Sequence, residues 1–362
     1  MKRCLRCTLP ATFPGAALDS RGLCHYCRQA EAPVQDLARG REIARRFEEL
    51  AARVRGRQAY DCLVSWSGGK DSTYVLTMVK EEYGLRPLAL TLDNGFVSPR
   101  ALDNCRVVAD KLGVDHMIFA PRFDLLRRLF SASLDGRHFP RAALRRASGI
   151  CNACMGLNKL IAVQIAQEKR IPILIYGWSP GQIPLPSALL TYTPSLVQTM
   201  LQSTATLLRQ LSGEDLSPYL PAVLGSTASP IELHSASPLV FVEYDEAHIR
   251  ERIAPLGWKA PEDTDPNSSN CLLNTFASMV HRQQFGYHPY DMELATLVRR
   301  GDMTREQALR RLEAPPDLAL SASIAARLGI SEEQLLAIRN SMPGDVTWDE
   351  PAALIPELSM EG

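Results

Sequence analysis

Apolar and polar positions alternate between two periods along this chain. Asp61-Cys62-Leu63-Val64-Ser65-Trp66 is a short apolar run of strand character, and Thr73 to Lys80 behind it has helical spacing. Pro87 to Leu92 reads as a second strand, Ser98 to Leu112 as a helix, and Asp115 to Phe119 as a third strand. Asp124 to Leu134 is helical, and a longer helix opens near Cys151 and runs through Glu168. Pro172 to Tyr176 is the fourth strand, and Leu239 to Val242 reads as a fifth. Strands separated by helices predict an α/β fold, a doubly wound parallel sheet with helices on both faces.

Around that sheet the chain divides into appendages. Residues 1–30 form a cysteine ribbon, 31–58 a linker with an amphipathic helix over 35–56, and 59–245 the main domain. A proline-rich insertion at about 183–236 is expected to cap the site. Residues 246–313 form a helical region carrying Cys271, with Thr304 at the N-cap of one helix. The tail, 314–362, reads as a docking or oligomer element, consistent with a homodimer.

Forty basic residues balance forty acidic ones among 362, so no global field points to nucleic acid or an anionic membrane. A local patch for RNA is still compatible with that total. No sequence run reaches the roughly 18 apolar residues of a membrane span. The expected location is cytoplasmic, where thiols stay reduced, so nine cysteines suggest metal or reactive thiols rather than disulfides.

Those cysteines sort by spacing. Cys4-x2-Cys7 and Cys24-x2-Cys27, 16 residues apart, have the two-knuckle pattern of a tetrahedral structural Zn²⁺ site; free thiols or a redox pair are the alternatives. Cys151-x2-Cys154 with the distant Cys271 is more ambiguous. Three thiolates there would hold three irons of a [4Fe–4S] cluster and leave the fourth open, or form a second zinc site completed by a His, or serve as catalytic or plain core thiols. Cys62 and Cys105 read as core residues.

The run Ser67-Gly68-Gly69-Lys70-Asp71-Ser72 joins the first strand to its helix. Strand, glycine turn and helix start is the arrangement in which free N–H groups and the helix dipole meet an anion. Ser67 and Ser72 add hydroxyls and Lys70 a mobile charge, while Asp71 suits Mg²⁺ or water better than a role as base. No Walker spacing is present. Ligands in such sheets bind beyond the carboxyl ends of the strands. That places Ser65, Leu92, Asp93 and Gly177 on the same rim, with Leu92 and Asp93 toward an adenosine. The loop Gly177–Gln182 either lines the site or is an ordinary turn. Arg141, Arg145 and Arg146 suit a phosphorylated acceptor, whereas Arg299, Arg300 and Arg305 read as solvated and His281 and His288 as packing residues.

The six-residue run matches the SGGxDS signature of the PP-loop ATP pyrophosphatases. The chain as a whole resembles the N-acetyl sugar amidotransferases of surface-polysaccharide biosynthesis, a PP-loop family. The likeness rests on Cys4-x2-Cys7, Phe13-Pro14-Gly15, Cys24-x2-Cys27, Ser67–Ser72, Cys151-x2-Cys154, Gly257-Trp258, Ser269-Asn270-Cys271, Phe285-Gly286-Tyr287-His288 and Leu297 to Leu309. It implies that the loop grips the pyrophosphate of ATP while an acceptor oxygen attacks the α-phosphorus, and that ammonia from a glutaminase partner then displaces AMP. PP-loop tRNA thiolation enzymes carry a cysteine arrangement similar to Cys151, Cys154 and Cys271, which implies the other second step: sulfur, from a cluster or a sulfur donor protein, onto RNA or a small molecule. The resemblance makes Lys70, Asp71, Cys151, Cys154 and Cys271 the expected catalytic residues. Trp178 to Gln182 and the proline-rich stretch depart from the sugar enzymes, so the acceptor is open.

Overall fold

A computed structural model describes residues 2–29, 33–219 and 231–340. Six strands form one sheet: β1 (Cys62–Ser65), β2 (Pro87–Leu92), β3 (Asp115–Phe119), β4 (Ile173–Tyr176), β5 (Leu189–Tyr192) and β6 (Leu233–Ala236). Their order is β3-β2-β1-β4-β6-β5. All pairs are parallel except β5 with β6. Cys62 lies opposite Pro87 on one side and Ile173 on the other, so β1 is central. The chain winds outward from β1 in one direction through β2 and β3, and in the other through β4. The switch falls at the carboxyl ends of β1 and β4, where this fold opens a crevice.

Burial on both faces explains the near-continuous apolar character of β1, β2 and β4. One face packs Leu63, Leu88 and Leu174 against the helices Phe123–Ala132, Gly149–Lys169 and Pro194–Ser212. The other packs Val64, Ala89 and Ile175 against Pro33–Val54, Lys70–Glu81, Pro99–Leu112 and Glu246–Ile253. The helix Gly149–Lys169 is long and apolar enough to cross a membrane by length and composition, a feature the sequence reading passed over. Here Leu157, Leu160, Ile161 and Ala162 are buried in the core. A buried central helix has no polar face to keep, so its composition mimics a span.

Two expectations need correcting. Leu239 to Val242 is not a strand; Pro238–Phe241 is a short helix, with Pro238 in its first turn and all four residues buried. Short apolar runs do not distinguish a buried helical turn from a strand. The stretch 183–236 is also more than a cap, because it supplies β5, the helix Pro194–Ser212 and β6. β6, Leu-His-Ser-Ala, has little apolar signal, yet all four residues are buried and His234 Nδ1 lies 3.0 Å from Thr191 Oγ1 on β5. Pro221, Pro230 and the tail after Asn340 lie outside the described residues.

Asp61, just before β1, is fully buried. Its carboxylate accepts from Gly56 N at 2.8 Å, Arg86 N at 2.9 Å and the Arg86 guanidinium, which fixes where the first strand enters the sheet. The helices Leu273–Phe285, Asp291–Arg300, Arg305–Leu312 and Leu318–Leu328 complete the C-terminal region. Thr304 caps Arg305–Leu312 in a reciprocal box with Gln307, as the sequence predicts.

Candidate active site

The chain leaves β1 through Trp66, fully buried with its indole N–H donating to Thr73 Oγ1 at 3.0 Å. Gly68 then takes φ +77°, and a side chain there would run into the Ala101 carbonyl. Its own carbonyl accepts from Trp258 Nε1 at 2.9 Å, a contact from the C-terminal region. The helix Lys70–Glu81 opens immediately, with Gly69 at the N-cap and no side-chain cap from that residue. Its first-turn N–H groups therefore face the rim. Ser67 Oγ and Ser72 Oγ lie 3.1 Å apart across the turn. Gly177, after β4, presses against this helix start: a Cβ there would come within 2.6 Å of Ser72 Cα and 2.8 Å of Ser72 N.

Lys70 is buried. Its ammonium meets both Asp71 oxygens at 2.8 Å, Tyr244 Oη at 2.9 Å and Glu246 Oε1 at 3.3 Å. Arg311 grips Glu246 from the far side, with Nη1 to Oε1 at 2.9 Å. Burial pushes the Glu246 carboxyl up, but Lys70 and then Arg311 outweigh it and hold it down at about 2. Glu293 behaves oppositely. Burial pushes it up to about 7, against the lowering effect of Ser179 Oγ 2.6 Å away, with Asp71 adding to the rise. Tyr244, Glu246, Glu293 and Arg311 sit in no recognisable sequence motif, so only the fold brings them to Lys70.

The other rim residues find ordinary places. Ser65 Oγ accepts from Asn158 Nδ2 at 2.7 Å. Leu92 ends β2, and Asp93 Oδ1 accepts from Gly95 N at 2.9 Å, closing the turn that carries Asn94. Asn94 is nearly buried and donates toward Cys154 Sγ at 3.4 Å and Cys271 Sγ at 3.6 Å. Cys151, in the first turn of Gly149–Lys169, belongs to the same group, since its thiol and that of Cys154 both feel Cys271. Burial pushes Cys151 and Cys154 up to about 12 and raises Cys271 as well. The fold thus brings together three thiols that the sequence places 117 residues apart at their widest interval, between Cys154 and Cys271.

The amino-terminal cysteines form a separate group. Among the described residues, only Cys4, Cys7, Cys24 and Cys27 bring three or more ligand atoms of this kind within 4.8 Å of one another. All four are buried. The ribbon docks on the C-terminal region through Arg305, which donates to the carbonyls of Cys7 at 3.0 Å and Cys4 at 3.3 Å, and through Arg3, which meets the buried Asp291 at 2.8 Å. Arg305 is therefore engaged rather than solvated. Arg300 pairs with Asp302 at 2.6 Å and Arg299 donates to Thr296 Oγ1 at 2.7 Å. Arg146 is drawn to the Gly181 carbonyl in the loop after β4, and Arg145 Nε is buried without a partner among the described residues. His281 lies between Phe285 and Tyr287, with burial pushing it down to about 3, so it is a packing residue.

A cavity of about 730 Å³ opens beside this constellation. Arg311, Asp265, Asn267, Ser278, Arg282 and Arg3 are among its lining residues. Arg311 connects it to the Glu246–Lys70 cluster, and Asp265, hydrogen-bonded by Asn274, connects it to the thiol group. Ser278 Oγ and Asn267 Oδ1 are buried there without partners among the described residues.

Residues 269–354 match the family described as LPS biosynthesis protein WbpG-like, C-terminal domain. The matched stretch begins at Ser269, two residues before Cys271. An uncharacterized protein of Methanocaldococcus jannaschii is 24% identical over 256 residues, covering 71% of this chain and 73% of its own. Among solved structures, the U34-tRNA thiolase NcsA from Methanococcus maripaludis with its [4Fe-4S] cluster superposes over 91% of this chain and 95% of its own, at 15% identity and a TM-score of 0.32. A score that low does not establish residue correspondences. The Ser67–Ser72 turn, set on a doubly wound sheet and followed by a stretch that matches the WbpG-like family, agrees with the resemblance read from the sequence.

Proposed function

We propose that this chain is an ATP-dependent, AMP- and pyrophosphate-forming transferase that adenylates an acceptor oxygen and then replaces AMP with a nitrogen nucleophile. The observation that carries it is the cradle at the start of Lys70–Glu81: first-turn main-chain donors, two serine hydroxyls and a buried lysine, at the sheet's switch point. The β- and γ-phosphates of ATP lie there as one leaving group, and Lys70, released in part from Asp71 and Glu246, offsets the charge that builds on them. Asp71 holds Mg²⁺ with the nucleotide. Leu92 and Asp93 flank the adenosine, with Ser65 and Gly177 along the same rim. A carboxamide or carboxylate oxygen of the acceptor attacks the α-phosphorus, the bond to the bridging oxygen breaks, and pyrophosphate departs with its electron pair. Ammonia then attacks the acceptor carbon, AMP leaves, and the surplus proton passes to a base. The sequence resemblance to sugar amidotransferases supports nitrogen, the match to an LPS biosynthesis family supports a small-molecule acceptor, and the 730 Å³ cavity beside Arg311 has room for one.

A second reading, sulfur transfer onto RNA or a small molecule, is favoured by the meeting of Cys154 and Cys271 at Asn94, with Cys151 one helical turn before Cys154. These thiols are not gathered as closely as ligands of a single ion, which suits a cluster whose irons hold thiolates at separate corners. Bound there, a [4Fe–4S] cluster would supply an open iron for sulfide. The four ribbon thiols suit a structural Zn²⁺, which would fix the docking surface made by Arg305 and Arg3. Product analysis tests the shared step: AMP and pyrophosphate are expected, and ADP with phosphate would refute it. Metal and sulfide analysis of protein purified without oxygen separates the second steps. Zinc alone supports nitrogen transfer, whereas iron and sulfide lost in Cys154→Ala supports sulfur.

A further inference from the structure

The C-terminal region enters the phosphate cradle at one residue. Ser269 Oγ accepts the N–H of Lys70 at 3.0 Å, the first main-chain donor of the helix Lys70–Glu81. Its position is not a loose surface contact. Ser98 N donates to the Asn270 carbonyl at 2.8 Å, and Leu272 N to the Phe96 carbonyl at 2.9 Å, around an antiparallel bridge between Val97 and Cys271. Ser268 Oγ accepts from Cys271 N at 3.2 Å. Ser98 Oγ in turn donates to Asp263 at 2.8 Å, so the strand after β2 is anchored as well. Two residues beyond Ser269, the Cys271 thiol meets Asn94. Two extended residues span at most about 7 Å, so one rigid stretch of chain touches both the anion cradle and the thiol group.

A serine hydroxyl has one proton and two lone pairs. Having accepted from Lys70 N–H, Ser269 still has its proton to give, and a donor at the positive end of a helix polarises that O–H. We propose that Ser269 is a phosphate-contacting residue supplied across the fold, and that the segment Ser269–Cys271 couples nucleotide occupancy to the thiol group. The inference rests on the nucleotide reading of the PP-loop given above. Because the segment is bridged to residues 96–98 and braced internally by Ser268, a shift of Ser269 toward a phosphate moves Cys271 with it. Coupling of this kind is reciprocal.

The test uses the full chain and α,β-methylene ATP with Mg²⁺. Affinity is measured by calorimetry, and alkylation of Cys271 is followed by mass spectrometry of its peptide. Ser269→Ala should weaken binding by about tenfold or more, the loss of one hydrogen bond to a charged group, and Ser269→Thr should recover most of it. In the unaltered chain the nucleotide should change the Cys271 alkylation rate at least severalfold, and in Ser269→Ala it should not. Equal or tighter binding by Ser269→Ala overturns the proposal, as does a Cys271 rate indifferent to nucleotide in the unaltered chain. Failure of the unaltered chain to bind the analogue would instead remove the nucleotide reading itself. Matching circular dichroism and melting curves for the variants show that any loss is local.

Discussion

Replacing Gly177 with alanine perturbs the proposed cradle from outside, through the main chain of Ser72. The added Cβ would lie 2.6 Å from Ser72 Cα and 2.8 Å from Ser72 N, closer than packed atoms stand. Both neighbours are main chain, in the first turn of the helix proposed to meet the phosphates, so no flexible side chain gives way. Either β4 or the helix start must move by several tenths of an ångström. Overpacking of this kind costs about 1–3 kcal/mol. If the misplacement falls on the donors, affinity for α,β-methylene ATP drops by about fivefold to about a hundredfold. Gly213→Ala is the control: Gly213 ends the helix Pro194–Ser212 with φ +67°, and an added Cβ there meets nothing within 4 Å. It should lower stability slightly and leave binding alone. Calorimetric titration of both variants decides. Unchanged affinity in Gly177→Ala, with a normal fold, would refute the placement of the phosphates against this turn.

Three further outcomes follow from the same geometry. Removing the metal from the ribbon with a chelator, or substituting Cys24→Ser, should abolish one equivalent of zinc per chain and lower the melting temperature, because Arg305 then loses the carbonyls it holds at Cys4 and Cys7; melting unaffected by chelation would count against a structural ion. Glu293 keeps its proton to higher pH in the folded chain than an ordinary carboxyl, so the native state binds more protons between about pH 4.5 and about pH 7, and stability should fall as pH rises through that window. Urea unfolding at several pH values should show that slope, and Glu293→Gln should flatten it; an identical slope in the variant contradicts the assignment. Asp61→Ala removes the acceptor of the Gly56 and Arg86 N–H groups at the entrance to β1, and should cost about 1–3 kcal/mol in urea unfolding. A loss well under 1 kcal/mol would mean water replaces those bonds.

Much of the fold was legible because burial on two faces leaves a continuous apolar signal in β1, β2 and β4, and the edge strand β3 shows as a short apolar run between helices. β2 and β3 begin and end where their patterns do, and Thr304 caps its helix through a local pair of side chains. β6 escaped notice because a strand paired with an antiparallel edge tolerates His and Ser when β5 supplies the hydrogen bond. Pro238–Phe241 misled because four apolar residues carry no period. At the site, the PP-loop and both sets of cysteines were legible from spacing. Tyr244, Glu246, Glu293 and Arg311 were not, since each contributes one ordinary side chain from a different element and only tertiary packing aims them at Lys70. Ser269 lay inside a recognised block, but its hydroxyl acquires meaning only when the helix start it caps is in place.

The most direct test is a structure of the chain with α,β-methylene ATP and Mg²⁺. The account places the two terminal phosphates against the main-chain N–H groups of residues 70–72, within reach of Lys70 and the Ser67 and Ser72 hydroxyls. A triphosphate lodged anywhere else, with that turn empty, would contradict it.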